Sequence, residues 1–193
     1  MTQCSGDVLI CVRQNGFSPT VSSSPPYSSS YKPENALVDD GSHYCGKYKP
    51  NEWWKIDFKT NVVVSSYQIR AGNGGGWIYN WKVEVSTDDS NWILVHTQTN
   101  KDCSSFPSFP TGYSQPFRYF RITGTGPAYR TSSHNIAFKY IKFNGNYGVY
   151  PTKTPTRAPT PTPTPTFVKL VYSCAVARNP FSLSSLIMTI IAS

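Results

Sequence analysis

Residues 53–58, Trp53-Trp54-Lys55-Ile56-Asp57-Phe58, decide how this chain folds. Trp54, Ile56 and Phe58 share one side of an extended backbone, and Lys55 and Asp57 share the other. A period of two with large apolar residues on one face marks a half-buried strand. The alternation recurs on either side of this stretch. Tyr67 and Ile69 share a face in YQIR (67–70), and Trp81, Val83 and Val85 oppose Lys82 and Glu84 in NWKVEVS (80–86). Phe120 and Ile122 oppose Arg121 in FRYFRITG (117–124), and Ile141 pairs with Phe143 in KYIKFNG (139–145). Turn formers separate the runs: DDG at 39–41, GNGGG at 72–76, TDDSN at 87–91, and a Pro/Ser-rich loop from Ser104 to Pro116. No stretch shows a helical period. Two facing antiparallel sheets are the economical solution.

Composition agrees with an all-β chain. Aromatic and charged residues each make up 15 %, and the 193 residues leave room for one domain plus an extension, or two small domains at most. The net charge of +8 divides evenly. Fourteen Lys or Arg against ten acids before Val149 leave +4, and Lys153, Arg157, Lys169 and Arg178 carry the other +4. That is a modest attraction to acidic partners or membrane surfaces and not a nucleic-acid footprint. Cys4, Cys11, Cys45, Cys103 and Cys174 are odd in number and contain no C-x-x-C pair, so free thiols are expected, with no zinc or thiol-redox motif. Apolar Val8 to Cys11 is too short for the core of a secretion signal, and Asp7 sits where basic residues belong. The expectation is a cytosolic protein, or a start that is not the native one. The cell surface is the alternative location.

Four segments follow. Residues 1–16 form an N-terminal extension, 17–146 the sandwich, 147–166 a Pro-Thr-rich linker and 167–193 an apolar C-terminal tail. PTKTPTRAPTPTPTPT (151–166) fixes φ at each proline and cannot build a core. As polyproline II its 16 residues would reach ~50 Å at ~3.1 Å each, so it reads as a disordered but semi-rigid stalk. The tail is broken by Lys169 and by Arg178-Asn179-Pro180, and its longest uncharged run is shorter than a spanning helix needs. It loosely imitates a lipid-anchor signal, so a membrane tether is one possible use.

The ordered run of strand motifs also resembles the coagulation factor 5/8 C-terminal, or discoidin, domain. The family order is a W-x-x-x-D strand, a Ser-x-Asp-x-x-x-Trp hairpin, an R-Y-x-R strand and a closing strand that ends in Gly. It appears here as SSSYKPENALVDDGSHYCGKYKPNEWWKIDF, SYQIR, NWKVEVSTDDSNW, FRYFRITGTG and IAFKYIKFNG, over about residues 20–146. HYCGKYKPNEWW and ITGTG look closer to the variant found beside intracellular BTB domains than to the secreted clotting-factor type. The resemblance implies an antiparallel jelly-roll β-sandwich of galactose-binding-domain type. It also implies loops at one end that bind glycans, lipid headgroups or proteins.

An enzyme would need a nucleophile with its base, a metal cluster or a phosphate cradle. His43, His96 and His134 form no metal-binding spacing, there is no G-x-S-x-G, and GNGGG lacks the Lys-Ser/Thr of a phosphate loop. A non-catalytic, monomeric binding domain without cofactor is expected. Asp57, Asp88, Asp89, Arg118 and Arg121 read as turn-forming or ion-paired residues. The resemblance raises calcium at the D-G turn, where Asp39 and Asp40 are weak candidates, but Lys142 stands where relatives often have Glu. The ligand-binding candidates are loop residues: Trp77 and Tyr79 beside the glycine run, His43 and Tyr44, and Tyr129 with Arg130. Aromatic rings stack on sugar faces and an arginine can fork to an anion. Glycan binding leads; a cytosolic protein-interaction or scaffold role is the alternative, and a glycoside hydrolase is remote.

Overall fold

The computed structural model describes residues 4–148. The elements are β1 (Cys4–Asp7), α1 (Val8–Gln14), β2 (Thr20–Ser23), β3 (Tyr44–Cys45), β4 (Trp53–Arg70) and β5 (Trp81–Ser86), followed by β6 (Ile93–Gln98), β7 (Ser108–Pro110), β8 (Phe117–Gly124), β9 (Ala137–Phe138) and β10 (Tyr140–Tyr147). All strand pairs are antiparallel.

β4 organises the sandwich. Its first half pairs with β2 and β8, and β8 continues through β5 to β6. Its second half pairs with β7 and β10, and β10 continues to β1. Between the halves the register against β8 slips after Asp57, and Lys59 takes φ 64°. The chain therefore reverses and begins the second layer. Trp53 lies beside Thr123 and Arg70 beside Tyr140, so both ends of β4 meet at one end of the molecule.

The expected inward residues fill the space between the layers. Trp54, Ile56, Phe58, Tyr67, Ile69, Trp81, Val83, Val85, Phe120, Ile122, Ile141 and Phe143 are all fully buried. Rings from facing layers meet there: Phe143 of β10 lies edge-on to Phe120 at 5.0 Å and to Phe58 at 5.3 Å, and Tyr67 meets Phe120 at 5.4 Å. Each such ring contributes about 1.5–3 kcal/mol of burial. One chain of polar bonds threads this core: Trp81 Nε1 donates to Tyr67 Oη at 2.8 Å, and Tyr67 Oη lies 2.7 Å from His96 Nδ1. Gly145 sits at a bulge in β10, where a Cβ would collide with the Val63 carbonyl.

Charged residues on the outer faces pair as their strand positions suggest. Arg118 forks to Asp57 at 2.7 and 2.9 Å, and Asp57 also accepts from the Lys59 amide at the reversal. Arg121 reaches Glu84 and lies 3.9 Å over the Trp92 ring. Asp88 accepts the amides of Ser90 and Asn91 and closes the β5–β6 turn.

Two expectations fail at the N-terminus. Within the expected N-terminal extension, residues 4–14 join the sandwich: β1 pairs with β10, and α1 buries Val8, Leu9, Cys11 and Val12 in the core. The helix is too short to show a period, and Asp7 Oδ1 caps it through the amides of Leu9 and Ile10. That reversal returns Cys11 over Cys4, and the two form a disulfide, against the expectation of free thiols. Cys45 and Cys103 remain free and buried. At the other boundary Tyr147, assigned to the linker, is the buried last residue of β10 and packs edge-on to Phe17. The Pro-Thr stalk from residue 149 onward and the apolar tail lie outside the described residues.

Candidate functional site

The loops between β2 and β4 (24–52), β4 and β5 (71–80), β6 and β7 (99–107), and β8 and β9 (125–136) gather at one end of the sandwich. Two of them are tied together. The Gly76 amide donates to the Tyr129 carbonyl at 2.7 Å, and the Tyr129 amide donates to the Trp77 carbonyl at 2.9 Å. Asn135 Nδ2 adds a bond to the Gly76 carbonyl at 2.7 Å. Gly76 has φ 89°, a conformation glycine adopts without strain. Trp77 folds back over Gly72, where a Cβ would strike the indole.

This seam divides the candidate residues into two patches. On one side stands a row of rings. Trp77 meets His43 at 5.1 Å, His43 meets Tyr31 at 4.6 Å, Tyr31 meets Tyr27 at 6.1 Å and Tyr27 meets Tyr48 at 5.4 Å. Tyr27 and Tyr48 are 57 % and 45 % exposed, so the row opens to solvent at its Tyr27–Tyr48 end. Lys139 reaches over Trp77 at 5.8 Å. A hollow of about 150 Å³ opens beside the row, between His43, Tyr48, Trp77 and Asn135. Partial burial, and secondarily the Lys139 charge, lower the His43 pKa, so its imidazole is neutral at pH 7 and can both donate and accept.

Glu52 holds the loop that carries Tyr48. Its buried carboxylate accepts the Lys47 amide at 2.6 Å and fits only because Gly46 has no Cβ. Burial pushes its pKa up, against the opposing pull of the backbone amides of Lys47, Lys49 and Tyr48.

On the other side of the seam Tyr79 and Arg130 line a cleft of about 690 Å³, with Asn80, Thr99, Asn100, Thr125, Thr131 and neighbouring backbone. Tyr129 lies tilted against Tyr79 with ring centres 5.1 Å apart and supports the Arg130 guanidinium at 4.8 Å. Asn80 braces the cleft: its Nδ2 donates to the Pro127 carbonyl at 2.8 Å, and its Oδ1 accepts the Asn100 amide at 3.0 Å.

Of the six expected binding residues, the structure brings five to these patches. Tyr44 is the exception. It is fully buried, packs on Phe138 at 5.8 Å, and donates its hydroxyl to the Trp53 carbonyl, so it is core. Asp39 is ion-paired with Arg70 at 2.7 Å and Asp40 accepts from Ser42, and no group of three or more metal-ligating side chains occurs among the described residues. Tyr27, Tyr31, Tyr48 and Lys139 escape a reading based on period and glycine runs. The only sign of the first two is a pair of tyrosines in the turn-rich PPYSSSYKP.

Comparison with known proteins places these features in a family. Residues 19–151 match the F5/8 type C domain. A BTB/POZ domain-containing protein of Arabidopsis thaliana is 28 % identical over 105 residues, which is 49 % of this chain and 13 % of that protein. Chitosan-binding module 1 of a Paenibacillus chitosanase/glucanase superposes with a TM-score of 0.60 at 14 % identity, covering 74 % of this chain and all of the module. The family 32 carbohydrate-binding module of Clostridium perfringens NanJ, solved with galactose, gives 0.56 at 10 % identity, covering 76 % of this chain and 100 % of that one. A second C. perfringens family 32 module, in complex with GalNAc-β-1,3-galactose, also gives 0.56, at 12 % identity, covering 69 % of this chain and 99 % of that one. At these identities the superpositions establish the sandwich fold.

Proposed function

This chain belongs to the F5/8 type C, or discoidin, domain family, and on that premise we propose that it is a non-catalytic module that recognises carbohydrate at the loop end of its sandwich. The observation that carries the reading is the half-exposed row Trp77–His43–Tyr31–Tyr27–Tyr48 beside a small polar hollow. Sugar rings have apolar C–H faces and hydroxyl rims. Ring faces flanked by a neutral imidazole, an amide and an ammonium suit both surfaces. Structural relatives solved with galactose or a GalNAc-galactose disaccharide support the same ligand class. The non-catalytic reading is supported by the engagement of Asp57, Glu84 and Asp39 with arginines and of Asp88 with its own turn.

Isothermal titration with galactose- and N-acetylhexosamine-terminated oligosaccharides tests this. At least one should bind, and Tyr31→Ala or Trp77→Ala should weaken it about fivefold or more while thermal unfolding stays cooperative. Absence of binding across the panel, or binding unchanged in both variants, would refute it. The resemblance to the BTB/POZ protein favours a second reading, a protein-interaction module, which an empty glycan panel would bring forward.

A further inference from the structure

Beyond the aromatic row, we propose that the cleft lined by Tyr79, Asn80, Asn100 and Arg130 is a second saccharide subsite, selective for acidic sugar units such as uronates. The inference rests on the carbohydrate reading above and gives it a substrate class.

The cleft lies across the Gly76–Tyr129 seam from the row; the two share the β4–β5 loop, but the rest of the cleft comes from the β6–β7 and β8–β9 loops and the rest of the row from the β2–β4 loop. No carboxylate lines it. Its polar groups are amides, hydroxyls and one guanidinium. Arg130 is exposed, takes φ 55°, and lies on the Tyr129 ring, which restricts the plane of its fork. The other arginines of the sheets and their borders, Arg70, Arg118 and Arg121, all hold carboxylates in ion pairs. Arg130 holds no ion pair within 4.0 Å among the described residues. The nearby Asp102 takes the amide of Ser104 at 2.8 Å. Hydrogen bonds from Ser104, and then from Tyr129 with the Arg130 charge, lower its pKa. Asp102 lines the neighbouring hollow rather than the cleft. The cleft is also preformed, because Asn80 bonds both its rims through Pro127 and Asn100. An uncharged hexose would use the amides and hydroxyls alone. A carboxylate on the sugar would add a bidentate pair with Arg130.

The test titrates trigalacturonate and its neutral counterpart galactotriose into ¹⁵N-labelled full-length protein, at low and at 0.3 M salt. The acidic trisaccharide should shift the amides of Asn80, Asn100 and Thr131 and bind about tenfold or more tightly than the neutral one at low salt. Arg130→Gln should erase that advantage, bringing the acidic trisaccharide to the affinity that the same variant shows for the neutral one. Asn100→Asp, which tolerates the position's φ of 52°, should repel the acid by adding a carboxylate to the wall. Equal affinities, an advantage that survives Arg130→Gln, or shifts confined to His43 and Trp77 would overturn the second subsite and leave the carbohydrate reading standing. If neither trisaccharide binds and the galactose and N-acetylhexosamine panel is also empty, both fall.

Discussion

Removing a single oxygen from the core tests the polar chain described above. Trp81 Nε1–H occupies one lone pair of Tyr67 Oη; donation of the hydroxyl proton to His96 Nδ1, with the imidazole proton on Nε2, is the arrangement that leaves no O–H in this chain without an acceptor. Tyr67→Phe keeps the ring contacts with Phe109 and Phe120 and deletes both bonds. Trp81 is fully buried. Orphaning its N–H costs about 1–3 kcal/mol, and losing the bond to the half-buried histidine costs roughly 1 more. For a domain of this size, roughly 3–4 °C of melting temperature per kcal/mol predicts a fall of about 6–16 °C. Differential scanning calorimetry at pH 7.5 reads it directly, and a shift within about 2 °C would refute the assignment.

The same histidine has a pH signature. Burial lowers the His96 pKa in the folded state, so the unfolded chain binds the proton more readily. Its stabilising share is complete above the unfolded value of about 6.5 and declines as pH falls through that value. His96→Gln should flatten the loss of stability between pH 7 and 5.5. His43, shifted the same way, should leave a residual slope. An unchanged slope would remove His96 from the account.

Three further outcomes are expected. Gly145→Ala should destabilise by more than about 2 kcal/mol in urea unfolding, because its Cβ collides with the Val63 backbone carbonyl and not with a side chain that can turn away. Gly72→Ala should lift the Trp77 indole from its seat, visible as a shift in tryptophan emission, and weaken sugar binding with little effect on cooperativity. Burial raises the Asp57 pKa, but the Arg118 fork and Lys59 outweigh it and hold it down to about 2. The ion pair therefore stabilises the fold above about pH 4, the ordinary carboxylate value, and is lost as pH falls toward 2. Asp57→Asn should lower the urea midpoint at pH 6 and narrow the gap from wild type by pH 2.5.

What the sequence reveals of this fold tracks where one face is buried and the other wet. β4, β5, β8 and β10 are legible for that reason, since burial on one side forces alternation. α1 is opaque: at seven residues it makes two turns, its apolar positions lie nearly side by side, and its pairing with the sheet is a long-range event. The Cys4–Cys11 bond is hidden by an odd cysteine count and by a reversal that only the helix supplies. Tyr44 resembles a loop aromatic because β3 is two residues long and offers no alternation to count. For the candidate site, glycines and neighbouring aromatics point to Trp77, Tyr79, Tyr129 and Arg130. Nothing local reveals that one backbone seam sets Trp77 apart from the others, or that Tyr27, Tyr31 and Tyr48 join it.

The pairing of β1 with β10 has a consequence for how the domain can be rearranged. Cys4 stands opposite Tyr147 at the pole away from the loops, so the described chain enters and leaves at neighbouring points about 5 Å apart. A linker of a few residues could join these points, and a new opening at the exposed β5–β6 turn would yield a circular permutant with the same sheet order. The same proximity suits grafting: spliced into a surface loop of a host protein, the domain would ask the host to separate its own ends by little more than the spacing of two strands. In either rearrangement, the loops that carry the aromatic row would face away from the splice.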